Sequence, residues 1–214
     1  MSSKGTPRPG SFFYPGPMRL VLDWDGTCTE TDGLVLAVER FGDPGVFMEA
    51  ERLLGRRLGL HEVIAMELAT LRVPLAEVVA FLVENLGLRP GFREIVARYA
   101  PLVLSSGFDE LIQPLLTREG IEVEVIANRL DARLDGWLPL FRDNAPCPVC
   151  GQACKRASLP PGEIVYVGDG FSDLCAARSA VRVFARDRLC GYLDDAGTPW
   201  EPFDSLDDVL RALG

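Results

Sequence analysis

Histidine and lysine are almost missing from this chain. Its 214 residues include one histidine, His61, and of 22 basic residues only Lys4 and Lys155 are lysine, the other 20 being arginine. With His61 in a helix-patterned stretch, a Ser-His-Asp or Cys-His apparatus has no imidazole easily brought beside its nucleophile. A basic excess is missing too. The formal charge is −9, which argues against electrostatic binding to nucleic acid or to anionic membrane surfaces, so an anionic substrate has to be drawn by a local site. No run comes near the roughly 18 consecutive apolar residues that a membrane span needs. Residues 1–17, MSSKGTPRPGSFFYPGP, lack the apolar core of a signal peptide and read as a flexible leader rich in Pro, Gly and Ser. A cytoplasmic location is the expectation that follows. No internal repeat is present, and no pattern sets the oligomeric state.

What is there is alternation between two kinds of segment. The runs RLVLDW (19–24), PLVLSS (101–106), EVEVIAN (122–128) and EIVYVGD (163–169), with a shorter VRVFA (181–185), are apolar and rich in β-formers. Helical patterns separate them, which predicts an α/β fold whose largely parallel sheet is covered on both faces. Residues 33–87 interrupt this plan. LVLAVERFG, FMEAERLLGRRLGLHEVIAMELATL and PLAEVVAFLVENLG repeat apolar residues at three- and four-residue spacing, with Pro74 suited to a helix start and Gly87 to a stop. An inserted helical cap is predicted there. Pro90 near the start of RPGFREIVARYA marks a core helix, and Asp135-Gly136 between two extended segments of 121–141 predicts a hairpin.

The polar groups gather at strand ends. Asp23 and Asp25, Ser105 and Ser106, and Asp169 and Asp173 each lie at or just past the end of an apolar strand. In an open parallel sheet those ends form one rim, where ligands bind. Extended backbone sends Asp23 and Asp25 to one side and Trp24 to the other, where it packs on the sheet. Adding Asp169 and Asp173 brings up to four carboxylates together, a crowd that self-repulsion forbids unless a hard cation sits among them; oxygen ligation with retained water favours Mg²⁺. Carboxylate nucleophilic catalysis suits this set: an aspartate attacks phosphorus, a second carboxyl handles protons, and a lysine beside Mg²⁺ neutralises the phosphoryl oxygens. Lys155 is the natural lysine.

DWDGT (23–27), SSG (105–107), Lys155 and GDGFSD (168–173) resemble, in order and spacing, the four signature motifs of the haloacid dehalogenase superfamily of phosphatases, over about residues 19 to 187. The resemblance implies a Rossmann-like core formed by residues 18–32 and 88–214, with the cap over 33–87 as in the phosphoserine-phosphatase-like branch. It implies Asp23 as nucleophile and Asp25 as general acid and then base. Ser105, with Ser106 and Gly107 beside it, would bind the phosphoryl group, Lys155 would bridge that group to Asp23, and Thr27 would help orient it. Mg²⁺ would be held by Asp23, the backbone carbonyl of Asp25 and Asp169, with Asp173 supporting the shell. The substrate would be a small-molecule phosphate monoester. Phosphoserine phosphatases carry a glutamate nine residues after the nucleophile to hold the substrate amine; by the resemblance Asp32 stands at that substrate-binding position, and its identity as aspartate speaks against serine phosphate. CPVCGQACK (147–155) and FARDRLCGYLDDAGTPWEPF downstream resemble instead the methionine-salvage phosphatases acting on 2-hydroxy-3-keto-5-methylthiopentenyl-1-phosphate, and the phosphoethanolamine and phosphocholine phosphatases. Two other functions fit the same motifs: phosphoryl transfer to an acceptor other than water, and a metal- or thiol-responsive binding protein with vestigial turnover.

Six cysteines remain: Cys28, Cys147, Cys150, Cys154, Cys175 and Cys190. Cys147, Cys150 and Cys154 spell C-x-x-C-x-x-x-C, a thiolate spacing that suits zinc. One knuckle without a clear fourth ligand falls short of a structural site, so reduced thiols packing the loop that presents Lys155 are the expectation. Arg52, Arg56 and Arg57 are expected on a solvated face, and His61 on a helix surface or inside the cap.

Overall fold

The structure, a computed structural model, describes residues 18–142 and 144–214; the leader expected over residues 1–17 lies outside them. Chain order begins with β1 (Arg19–Leu22), followed by α1 (Gly33–Phe41), α2 (Pro44–Leu53), α3 (Leu60–Leu68), α4 (Leu75–Asn85) and α5 (Phe92–Tyr99). Then come β2 (Leu102–Phe108), α6 (Asp109–Glu119), the hairpin strands β3 (Glu124–Asp131) and β4 (Leu138–Leu140), and β5 (Ile164–Gly168). The chain closes with α7 (Leu174–Ala177), β6 (Arg182–Ala185), α8 (Asp187–Asp195), β7 (Glu201–Pro202) and α9 (Leu206–Leu213).

The strands form one sheet in the order β4-β3-β2-β1-β5-β6-β7. β1 pairs in parallel with both β2 and β5, and among the described strands β4 alone runs antiparallel, against β3. The chain adds strands to one side of β1 and then to the other. That reversal opens a crevice past the carboxyl end of β1, between β2 and β5.

Alternation along the strands divides the core. Leu20, Leu22, Val103, Val165 and Val167 pack with the inserted helices and with α5, α6 and α9, while Val21, Leu104, Ile164 and Tyr166 pack with α7 and α8. The insertion shares the first of these layers. Trp137, at the foot of the hairpin, is fully buried and ties it further, its backbone N–H reaching Leu68 O at 3.1 Å and its indole N–H reaching Val73 O at 2.9 Å.

Three expectations need correction. The run 47–71, with one continuous helical pattern, is two helices, because the chain turns at 54–59: Gly55 takes a φ of +71°, and a side chain there would come within 2.8 Å of the Phe171 ring. β3 starts two residues later than expected and runs on to Asp131. β7 was not foreseen, since a two-residue edge strand ending in proline carries no alternation to read. Arg52, Arg56 and Arg57 are exposed, and the His61 ring stacks on Phe141 with centroids 3.6 Å apart.

Candidate active site

Strand pairing ends at Leu22, but the Asp23 N–H still donates to Val167 O at 2.9 Å, so the Asp23 backbone is pinned to the neighbouring strand. Residues Trp24–Cys28 then form a tight turn broken at Asp25 and Gly26. Gly26 has a φ of +73°, and a Cβ there would lie 2.5 Å from Asp169 Oδ2. Only glycine lets the Asp23–Cys28 turn close onto the acidic loop after β5. Trp24 is buried on the far side, edge-to-face with Phe92 at 5.8 Å, as its place between the two aspartates predicts.

Lys155 sits at the centre of the cluster, 1% exposed. Its Nζ donates to Asp23 Oδ1 and, at 2.7 Å, to Asp173 Oδ1. Asp173 is fully engaged: Tyr166 also donates to Oδ1 at 2.7 Å, and the amides of Asp169 and Gly170 both reach Oδ2 at 3.0 Å. It therefore shapes the loop. Oxygens of Asp23, Asp169 and Asp173 lie within 4.8 Å of one another. Asp25 stands apart from that group; its Oδ1 accepts from the Gly33 N–H at 2.9 Å, at the first turn of the insertion. Asp32 caps the same helix through Val35 N at 3.0 Å. Thr27, expected to orient phosphate, is fully buried and donates to Asp169 Oδ1 at 2.7 Å, so its hydroxyl steadies an aspartate. Ser105 Oγ accepts from Gly107 N at 2.8 Å, which leaves its own O–H to donate. Ser106 and Gly107 line the pocket beside it.

The charges are not balanced by protein groups. Burial, and then Asp173, hold the Asp23 carboxyl well above the usual range, Lys155 pulling the other way. Asp169 is pushed up to about 7 by burial and by Asp173. Burial depresses the Lys155 ammonium, but Asp173 and Asp23 more than restore it and leave it above an ordinary lysine. Asp25 is raised by burial and by Asp32 and Asp23. One lysine thus faces more negative charge than it neutralises, and the oxygen donors fit a hard divalent cation.

Above the cluster, the pocket is walled by Phe47, Leu60, Val63 and Ile64 from the insertion and by Phe171 from the core. Arg188 crosses between the two, donating to Glu51 Oε2 at 2.8 Å. Glu67 lines the same pocket. It is 5% exposed, its Oε1 has no hydrogen-bond partner among the described residues, and burial, Glu51 and Asp32 push its pKa up to about 8.

Several of these residues were not singled out from sequence. Glu67 and Arg188 carry no motif, and only their place opposite the rim marks them. Arg89 donates to the carbonyls of Gly26, Thr27, Thr29 and Glu30 and so clamps the turn after Asp23. Asn128 and Arg142 do the same for β2, donating to Ser106 O and Ser105 O, each at 2.8 Å. Tyr166 had a legible signal: a phenol inside an apolar strand, one that has to find an acceptor.

A family model described as haloacid dehalogenase-like hydrolase matches residues 20–178. Among curated relatives, a 2-hydroxy-3-keto-5-methylthiopentenyl-1-phosphate phosphatase of Geobacillus kaustophilus (strain HTA426) is 34% identical over 211 residues, covering 91% of this chain and 94% of that protein. One of the same name from Geobacillus thermodenitrificans (strain NG80-2) is 31% identical, with the same coverage. Among solved structures, a phospho-aspartyl intermediate analogue of phosphoserine phosphatase has a TM-score of 0.65 at 18% identity, over 92% of this chain and 99% of that one. A substrate-bound phosphoserine phosphatase gives 0.66 at 18% identity, with the same coverage. The structural likeness speaks for the fold, and the sequence matches span the rim motifs as well as the sheet. By those matches the chain belongs to the haloacid dehalogenase-like hydrolases.

Proposed function

We propose that this chain is a Mg²⁺-dependent phosphomonoesterase that hydrolyses a small phosphorylated metabolite through an aspartyl-phosphate on Asp23. The observation that carries it is the meeting of Asp23, Lys155, Asp169 and Asp173 from three separate segments under one pocket. Asp23 and Asp169, with the Asp25 carbonyl, would hold Mg²⁺, and Asp173 would support that shell. When bound, the ion supplies charge neutralisation for the phosphoryl oxygens and for the carboxylates around it.

The residues of this chain divide the remaining work. An oxygen of Asp23 attacks phosphorus in line with the ester oxygen; the P–O ester bond breaks, and the leaving oxygen takes the proton of Asp25. Burial, and then Asp32 and Asp23, raise that carboxyl above an ordinary aspartate, the direction that suits a proton donor. Asp25, now ionised, takes a proton from water as it attacks the phosphoryl group. The bond to Asp23 breaks, inorganic phosphate leaves and the carboxylate is regenerated. Lys155 and the Ser105 hydroxyl hold the phosphoryl oxygens throughout, preorganised by Asp173 and by the Gly107 amide.

The pocket wall guides the substrate choice. Phe47, Leu60, Val63 and Ile64 suit an apolar tail, and Glu67, protonated at neutral pH, offers a hydrogen bond to a hydroxyl or keto oxygen. Asp32 spends its carboxylate on the start of α1, which leaves it poorly placed to pair with an ammonium. A phosphate ester with an apolar tail, such as the 2-hydroxy-3-keto-5-methylthiopentenyl-1-phosphate named for the relatives, fits this wall better than phosphoserine. A screen of phosphorylated metabolites with Mg²⁺, read by inorganic phosphate released per substrate consumed, tests the reading. One-to-one release with the enol phosphate preferred supports it. Substrate loss without phosphate release, or a preference for phosphoserine, contradicts it.

A further inference from the structure

The fourth ligand that the C-x-x-C-x-x-x-C spacing lacks is supplied from elsewhere in the chain. The Sγ atoms of Cys147, Cys150, Cys154 and Cys175 lie within 4.8 Å of one another. Cys147 and Cys175 are 3.9 Å apart, close to the edge of about 3.8 Å that Zn–S bonds of about 2.3 Å give a tetrahedron and far from the roughly 2.05 Å of a disulfide. All six cysteines are free. The loop is built to bring the thiols together: Gly151 N donates to Cys147 O at 2.8 Å and Cys147 N to Gln152 O at 2.9 Å, folding 147–152 back on itself. The Val149 N–H points at Cys147 Sγ at 3.4 Å, a contact that favours the thiolate. Apolar packing does not account for the group, because Cys150 is exposed yet turns its sulfur to the other three.

The geometry points to a structural zinc site formed by Cys147, Cys150, Cys154 and Cys175. Four sulfur donors in a closed set select a thiophilic ion of tetrahedral preference and leave no open position for chemistry. The position in the fold gives the ion a task. Cys154 immediately precedes Lys155, and Cys175 lies two residues after Asp173. The ion therefore ties together the two segments whose side chains meet in the Lys155–Asp173 pair. Arg156, donating to Cys175 O at 3.1 Å, adds a second tie at the same point. The ion positions Lys155 and does not touch substrate.

The test is metal analysis of the full chain, purified under reducing conditions without chelator from zinc-sufficient cells, together with cobalt exchange. About one zinc per chain is expected, and cobalt in its place should show thiolate-to-metal charge transfer with the strong visible bands of a tetrahedral site. Cys150→Ser and Cys175→Ser should each lose the zinc; Cys190→Ser and Asp23→Asn should keep it, which separates this site from the carboxylate one and from any question of activity. If Cys175→Ser does not fold, Cys150→Ser, at an exposed position, and the cobalt spectrum of the unaltered chain still decide. Absence of zinc together with no charge-transfer band, iron in its place, or zinc retained in both serine variants would overturn the assignment.

Discussion

Two clusters of ligand-like side chains lie on either side of Lys155, and they differ in every respect that selects a metal. On one side, Asp23 and Asp169 line an open pocket with Asp173 buried behind them, and one lysine serves the three carboxylates. On the other, four thiols form a closed set with no position left over. Hard donors and an open face suit an exchangeable ion that meets substrate; soft donors in a closed set suit an ion that stays. Charge imbalance in a pocket marks chemistry, and complete satisfaction marks scaffolding. Asp173 shows the principle within one residue: four hydrogen bonds occupy its two oxygens, and it organises the loop while its neighbours are left to act.

The contrast is broken most severely at Asp23. Asp23→Asn is expected to lower Mg²⁺-dependent hydrolysis of an aryl phosphate by at least about 10⁴-fold, with an unchanged circular dichroism spectrum; retained turnover would remove Asp23 as nucleophile. Chelation at the carboxylate site should be reversed by added Mg²⁺. Loss of the thiol-side ion should not be. Cys175→Ser is expected to reduce kcat about 10- to 100-fold through misplacement of Lys155, checked by its failure to recover with excess Mg²⁺.

Glu67 sharpens the comparison, since it is an uncompensated carboxyl away from both clusters. Its folded pKa of about 8 lies above its ordinary 4.5, so between those values the folded chain binds the extra proton. The stability this gives is fully present below about pH 4.5 and is lost as pH rises through about 8. Glu67→Gln stays neutral throughout and is expected to exceed the parent by on the order of a few kcal/mol at pH 9, with the two converging at pH 4.5. Urea unfolding of both proteins across that range, with Mg²⁺ present, measures the difference; parallel profiles would contradict it. The smallest effect is expected at Cys190→Ser, outside both clusters, where zinc content and turnover should match the parent.

Much of the rim was legible because strand ends and motif spacing are local properties. Asp23, Ser105 and Asp169 each close an apolar run, so their convergence follows from parallel pairing alone. Lys155 stood out as the sole lysine beyond the leader. What the sequence does not display depends on contacts between distant segments: Cys175 joining the knuckle across 28 residues, Arg188 reaching Glu51, and Arg89 clamping the Gly26–Glu30 loop. No periodicity encodes such meetings. The split of residues 47–71 was missed for another reason: Gly55 sits in a helical pattern, and the close approach of Phe171 that demands glycine there is visible only in three dimensions.

Whether phosphate passes through Asp23 can be read by rapid-quench mass spectrometry of the Asp25→Asn variant with a nitrophenyl phosphate, whose leaving group departs without a proton from Asp25 while departure of the phosphoryl group to water is slowed. A Mg²⁺-dependent, hydroxylamine-sensitive phosphoryl group on the peptide containing Asp23 is the expected result; no covalent phosphate, or phosphate on any other residue, would contradict the mechanism.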